Sequence, residues 1–223
     1  MKQEIKVIIG IVLATIIIIG GATYLAGKNA ARENMPADQE KLVRADSPTT
    51  KALPVKVVVV EFGDFQCPAC GAAFPTVEKV MDHYKNDADV SFIFRNFPLS
   101  QHKNAKPSAY AALSAKNQGK FWEMVKELYE NQSEWSEEGD AQIFFDAYAK
   151  KLGLDKNKFD QDMAGENIRD FVERDLGDAV SLKIDQTPTF FVNGIKVKNF
   201  PSYEGWISLI EDQKTTAGKQ LAE

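Results

Sequence analysis

The sequence predicts an α/β fold that carries an inserted block of helices and is preceded by one transmembrane helix. Three observations in the folded part predict it. A β-branched, nearly continuously apolar run from Val55 to Phe62 is followed by helical periodicity and then by a second strand-like run, Val90-Ser91-Phe92-Ile93-Phe94. Strand, helix, strand implies a right-handed parallel crossover. From Pro107 to about Leu182 no strand pattern appears, and the segment reads as helices. Finally, Gln186 to Val197 reads as turn, strand, Asn193-Gly194 hairpin and strand, with Asn-Gly a strong signal for a two-residue hairpin loop.

The chain has 223 residues, 44% hydrophobic and 26% charged, enough for one domain with an appendage. Its formal net charge of -5 and the lack of basic runs interleaved with aromatics argue against a nucleic-acid partner. It holds no phosphate-binding glycine loop and no internal repeat.

Taken in order, Val7 to Gly27 form 21 consecutive uncharged positions, rich in isoleucine. A helix of that length spans about 31 Å, enough to cross a bilayer. A cleaved signal peptide is the alternative, but the small-x-small matches after the apolar core are poor. Residues 1–27 are therefore expected to be an uncleaved anchor. Lysines flank the span on both sides and leave its orientation open, so chemistry decides: a Cys-x-x-Cys oxidant belongs outside the reducing cytosol. Residues 28–52 are polar and proline-punctuated and read as a tether, with a short helix near Asp38 to Val43. The folded domain is expected over 53–223, with its helical insertion at about 104–182.

Both cysteines of the chain fall in Phe65-Gln66-Cys67-Pro68-Ala69-Cys70, at the junction between the first strand and the helix after it. A thiol at a helix N-terminus faces unpaired backbone N–H groups and the positive end of the dipole, which favours its thiolate. Pro68 suits the first helical turn, where its missing N–H costs nothing. Cys67, the outer thiol, is expected to be the nucleophile, with a pKa below the free value of about 8.5, and Cys70 to resolve mixed disulfides. A structural disulfide would close too short a loop to constrain the unfolded chain much. A zinc site would need two more ligands, and His83 and His102 lack zinc-finger spacing. A pair of inert buried thiols is the third competing reading.

Further along, Val77, Val80, Met81 and Tyr84 recur at helical spacing as core positions. Within the helical block three stripes are expected to face the core: Phe121, Met124, Val125, Leu128 and Tyr129; Ile143, Phe144, Ala147 and Tyr148; and Ile168, Phe171, Val172, Leu176 and Ala179. Tyr203 to Gln213 reads as a closing helix, with a frayed polar tail after it.

Phe65 to Cys70, Arg95-Asn96-Phe97-Pro98-Leu99, Gly119 to Met124 and Thr187-Pro188-Thr189-Phe190 come in the order seen in the DsbA-like thiol:disulfide oxidoreductases, which the chain resembles from about Leu53 to Gln213. The resemblance implies a thioredoxin-like fold with an inserted helical domain, and a membrane-anchored bacterial member of the family. It makes Cys67 the attacking thiol, Cys70 the resolving one and Pro188 the cis-proline facing them. Thr187, with Pro68 and Ala69 beside the cysteines, would meet an extended substrate peptide. Glu61 matches the buried acid of thioredoxin-like proteins and could exchange a proton with Cys70, though it also reads as a strand-end carboxylate in water. Ala69 stands where the best-known strong oxidants of the family have a histidine, so thiolate stabilisation would rest on the helix N-terminus and backbone donors. His102 matches a histidine common in related sequences and reads as structural.

The expected activity is disulfide donation to unfolded or reduced exported proteins, a half-cycle that needs no cofactor and no metal. With no third cysteine, electrons would pass to an external partner, by resemblance a membrane protein of the DsbB type. A reductase or isomerase of disulfides, and a tethered peptide-binding chaperone, are the alternatives. The expected location is the cell membrane, with the catalytic domain on the extracytoplasmic side.

Overall fold

The computed structural model describes residues 38–220. The expected anchor and the first part of the expected tether lie outside the described residues. Among those described, no helix is long and apolar enough to cross a membrane.

A short helix, α1 (Gln39–Leu42), leads into strand β1 (Val57–Gly63), helix α2 (Pro68–His83) and strand β2 (Val90–Asn96). Six helices follow: α3 (Ala105–Lys116), α4 (Phe121–Glu130), α5 (Gln132–Trp135), α6 (Gln142–Lys151), α7 (Lys156–Ala164) and α8 (Glu166–Ser181). The hairpin β3 (Thr189–Val192) and β4 (Ile195–Lys196) and the helix α9 (Tyr203–Gln220) close the chain. The strands form one sheet in the order β2-β1-β3-β4. β1 runs parallel to β2, Val57 opposite Val90, and antiparallel to β3, Phe62 opposite Thr189.

Alternation along the strands splits the core in two. Val57, Val59, Phe190 and Val192 point to one face, where Val80 of α2, Tyr84 at its C-cap, and Trp206 and Ile210 of α9 cover them. Val60, Phe62, Ile93 and Phe191 point to the other, against Ala179 of α8, Ile184 and Leu42. A third cluster is centred on Met124, Leu128, Trp135, Phe145 and Phe159 of the helical block and takes in Phe65, Cys67 and Cys70. The cysteines thus sit where the sheet domain meets its insertion.

At the hairpin, Asn193 and Gly194 take φ of 47° and 83°, the left-handed conformation that this loop demands and that glycine adopts without strain. At the end of β1, Gly63 lies so close to the Phe94 ring that a Cβ there would stand 2.7 Å from Cε2 and Cζ. Gly63→Ala is expected to cost about 1–3 kcal/mol by overpacking, read as a lower denaturation midpoint at unchanged slope.

Four local expectations need correcting. Residues 38–52 do not form a free tether: Leu42 is fully buried, the Pro48 carbonyl accepts from Phe94 N at 3.1 Å, and Thr49 bridges Ile93. This segment covers the outer edge of β2, satisfying backbone groups an open edge would leave bare. In α6 the buried face is Phe145, Tyr148 and Ala149, while Ile143 is 71% exposed, because Phe145 packs on Trp135 with ring centroids 5.4 Å apart. α9 runs to Gln220, seven residues past the expected Gln213, on polar residues that continue a helix already nucleated by packing. The second hairpin strand is also shorter than expected, ending at Lys196.

Beside the sheet, Arg95 is fully buried and ion-paired to Asp175 at 2.8 Å and Asp178 at 2.6 Å, both on α8. Its remaining donors reach the Lys41 and Leu42 carbonyls, and Arg44 grips Asp178 from the outside at 2.7 Å. Burial works against an ionised Asp178, but the hydrogen bonds from Arg44 and Arg95 outweigh it and hold its pKa below the usual value. α1, β2 and α8 are thereby tied by one charged cluster.

Candidate active site

Cys67 is the N-cap of α2, with extended backbone (φ -66°, ψ 122°), and Pro68 and Ala69 open the helix on the exposed surface. The position follows from the sequence: Pro68 fits the first helical turn without losing a hydrogen bond, and its ring disfavours the helical region for the residue before it. Cys67 is 7% exposed and Cys70, in the first turn, 1%. Both are free thiols.

The turn that presents Cys67 is held from three sides. Cys67 N donates to the Asp64 carbonyl at 3.1 Å. The Asp64 carboxylate, fully buried, accepts from Gln66 N at 2.8 Å and Leu99 N at 3.0 Å and pairs with His102 Nδ1 at 2.6 Å. Gln132, from the helical insertion, donates its amide to the carbonyls of Phe65 at 2.6 Å and Cys67 at 3.0 Å. His102, read from sequence as structural, is in that role: it anchors the carboxylate under the turn. Asp64, Gln66, Asn104 and Gln132 were not singled out by sequence reasoning, since each acts through a backbone group or partner more than thirty positions away.

Thr187 and Pro188 lie across from Cys67, joined by a cis peptide bond. The Thr187 carbonyl stands 3.5 Å from Cys67 Sγ, and the Thr187 hydroxyl, buried, has no hydrogen-bond partner among the described residues. Pro188, with no N–H to donate, is half-buried at the edge of a groove that also touches Ala69. The structure therefore brings Cys67, Cys70, Pro68, Ala69, Thr187 and Pro188 together.

The two sulfurs are driven in opposite directions. The hydrogen bond from the Cys70 thiol lowers the Cys67 pKa most; burial opposes it, while nearby Thr187 and the backbone N–H groups of Cys70 and Ala69 add to the lowering. The result is a drop from 9.0 to about 5. Burial pushes Cys70 well up, and its bond to Cys67 and the nearby Glu61 charge push it further. Glu61, on β1, is densely surrounded by protein yet keeps a narrow contact with solvent; burial raises its carboxyl to about 8. Tyr129 packs its ring on Phe65 and Phe74, and its buried hydroxyl has no hydrogen-bond partner among the described residues. A thiolate next to a proton-holding thiol is the arrangement that disulfide exchange requires.

Since Cys70 is the main donor to the thiolate, its replacement should move Cys67. In Cys70→Ala the Cys67 thiolate is expected to titrate clearly above the wild-type midpoint, and in Cys70→Ser, which keeps a hydroxyl donor, between the two. Ultraviolet thiolate absorbance against pH checks the order.

The profile of the family described as thioredoxin matches residues 52–212. The probable disulfide bond formation protein D of Bacillus cereus is 30% identical over 204 residues, which cover 87% of this chain and 91% of that protein. The Na(+)/H(+) antiporter NhaA 1 of Mycolicibacterium vanbaalenii is 38% identical over 147 residues, 64% of this chain and 22% of the antiporter. The chain thus spans about a fifth of the antiporter's length. Among solved structures, oxidised BdbD from Bacillus subtilis superposes with a TM-score of 0.69 at 24% identity, covering 82% of this chain and 97% of that one. The thioredoxin-like sheet with its helical insertion carries a Cys-x-x-Cys pair at the start of α2. The chain belongs to the thioredoxin family, among its DsbA-like members.

Proposed function

We propose that the protein is a disulfide donor for exported proteins, held at the extracytoplasmic face of a membrane by the apolar segment Val7 to Gly27. The observation that carries the reading is the opposed tuning of the cysteines: Cys67 brought down to about 5, Cys70 pushed well up. A stabilised thiolate stabilises the reduced enzyme and so makes its disulfide the better oxidant. A substrate thiolate attacks Cys67 Sγ of the Cys67–Cys70 disulfide, and Cys70 leaves as a thiolate that takes up a proton, for which the Glu61 carboxyl is the nearby source. A second substrate thiolate then attacks the substrate sulfur of the mixed disulfide and expels Cys67 as its stabilised thiolate. The substrate leaves with a disulfide and the enzyme with two reduced sulfurs. The backbone of Thr187 pairs with the extended substrate, while Pro188, Pro68 and Ala69 leave that approach open. Reoxidation falls to a membrane partner of the DsbB type, since no third cysteine is present.

The test is the reduction potential together with trapping. A value near about -120 mV and mixed disulfides with exported proteins in Cys70→Ser support the oxidase; a value near about -270 mV would make the protein a reductase. A chaperone would show no such adducts and would keep its activity in Cys70→Ser.

A further inference from the structure

The groove beside Cys67 has walls of different chemistry. Ala69, Ala72 and Ala73 of α2 line one side; Thr187, Pro188, Lys196, Lys198 and Phe200 line the rest, around a cavity of about 460 Å³. Phe200 is 44% exposed, yet its ring is seated on Phe190 at 5.6 Å and Trp206 at 6.0 Å, so it offers a fixed apolar surface. No carboxylate lines the groove among the described residues. Lys196 is half-buried there, and its ammonium makes no ion pair or hydrogen bond among the described residues, whereas Lys106, Lys126, Lys151 and Lys214 each find a carboxylate. Lys198 lines the same groove, so the groove's charge is positive, and an incoming carboxylate would give Lys196 the counter-charge it lacks among the described residues. The chain as a whole is acidic, at -5, so this attraction is local and not a property of the surface at large.

We propose that this groove receives the residues flanking the substrate cysteine and selects an acidic side chain for Lys196 beside an apolar one for Phe200. The inference rests on the oxidase reading and names the substrate feature that the same site prefers. The competing role for Lys196 is that of a charge that merely keeps β4, at the sheet's edge, from pairing with other chains.

The test uses the oxidised full-length protein and three two-cysteine peptides that differ only in one residue next to the first cysteine: Glu, Gln or Lys. Each peptide gives up two electrons and two protons to form its own disulfide, and the Cys67–Cys70 disulfide becomes a Cys67 thiolate and a Cys70 thiol, the second proton going to solvent; acid quench and thiol blocking follow the rate. Each rate is divided by that of the same peptide with a small neutral disulfide, which removes the effect of the neighbouring charge on the peptide's own thiol. At low salt the Glu peptide is expected to react about fivefold faster than the Lys peptide, with Gln between them. Added salt should slow the Glu peptide and close the gap. Lys196→Gln should level the three rates, and Lys196→Glu should reverse their order. Equal corrected rates at low salt, a Glu preference that survives in Lys196→Gln, or a Glu peptide that is slowest and speeds up with salt would each overturn the selectivity while leaving the oxidase reading intact. Failure to oxidise any of the peptides would remove both.

Discussion

The reduced protein is expected to be stabilised relative to the oxidised one by an amount that grows as pH rises from about 5 to about 8. Cys67 has a folded-state pKa of about 5 against an ordinary 9.0, so the unfolded reduced chain binds more protons than the folded one between those values. A depressed pKa contributes stability that is complete above the unfolded value and is lost as pH falls through the folded one. The full contribution is up to about 5 kcal/mol, and at pH 7 about 3 kcal/mol. In the oxidised protein the thiol is absent and the contribution with it. Glu61 runs the other way, its carboxyl raised from 4.5 to about 8, so stability falls as pH rises through that window. It does so in both redox forms, and the difference between them isolates Cys67. Cys70, pushed well up, stays a thiol in the folded protein while its unfolded counterpart ionises near 9.0, so it adds no slope below about pH 8 and takes stability from the reduced form above that. Denaturant unfolding of both forms at a series of pH values measures the difference. Below about pH 8, a constant gap, or an oxidised form that gains on the reduced one as pH rises, would contradict the account. Since ~1.4 kcal/mol corresponds to ~30 mV for a two-electron couple, the same tuning should make the pair about 60 mV more oxidising at pH 7 than one with an ordinary thiol at position 67.

Replacing Arg95 by Met should cost about 3–5 kcal/mol of folding stability, because it leaves Asp175, fully buried, without its counter-charge. Asp178 suffers less, keeping Arg44 at 2.7 Å. The Lys41 and Leu42 carbonyls also lose a donor, so α1 should loosen from β2 and exchange its amides faster. Removing both charges in Arg95→Met with Asp175→Leu should recover part of the loss, since no unpaired buried carboxylate remains. Recovery stays incomplete, because Asn96 N and Nδ2 both donate to Asp175 at 2.9 Å. A single substitution costing under about 1 kcal/mol would show that the cluster is solvated in solution.

Much of this architecture was legible because its signals are local. The parallel pair β1 and β2, the Asn193-Gly194 hairpin and the thiols at a strand-to-helix junction each rest on neighbours within a few positions. The α4 stripe was legible too, since a ten-residue helix with Phe121, Met124, Val125 and Leu128 buried leaves one apolar face. In α6, by contrast, apolar residues surround the helix, and contact with Trp135 rather than periodicity selects Phe145 over Ile143. Asp175 and Asp178 look like surface residues of a helix until Arg95, 80 and 83 positions earlier, is brought beneath them. Gln132 and Asp64, which hold the thiol-bearing turn, gave no sequence signal for the same reason. The pairing of Leu53-Pro54 in cis likewise had no signature in its neighbours.

The measurement that bears most directly on all of this is the ultraviolet titration of the reduced wild-type protein, with Cys67→Ser as the control that assigns the signal. One thiolate should appear with a midpoint of about 5 and vanish in the control, while Cys70 remains a thiol well past pH 9. A first thiolate appearing only near the free-cysteine value of about 8.5 would contradict the account.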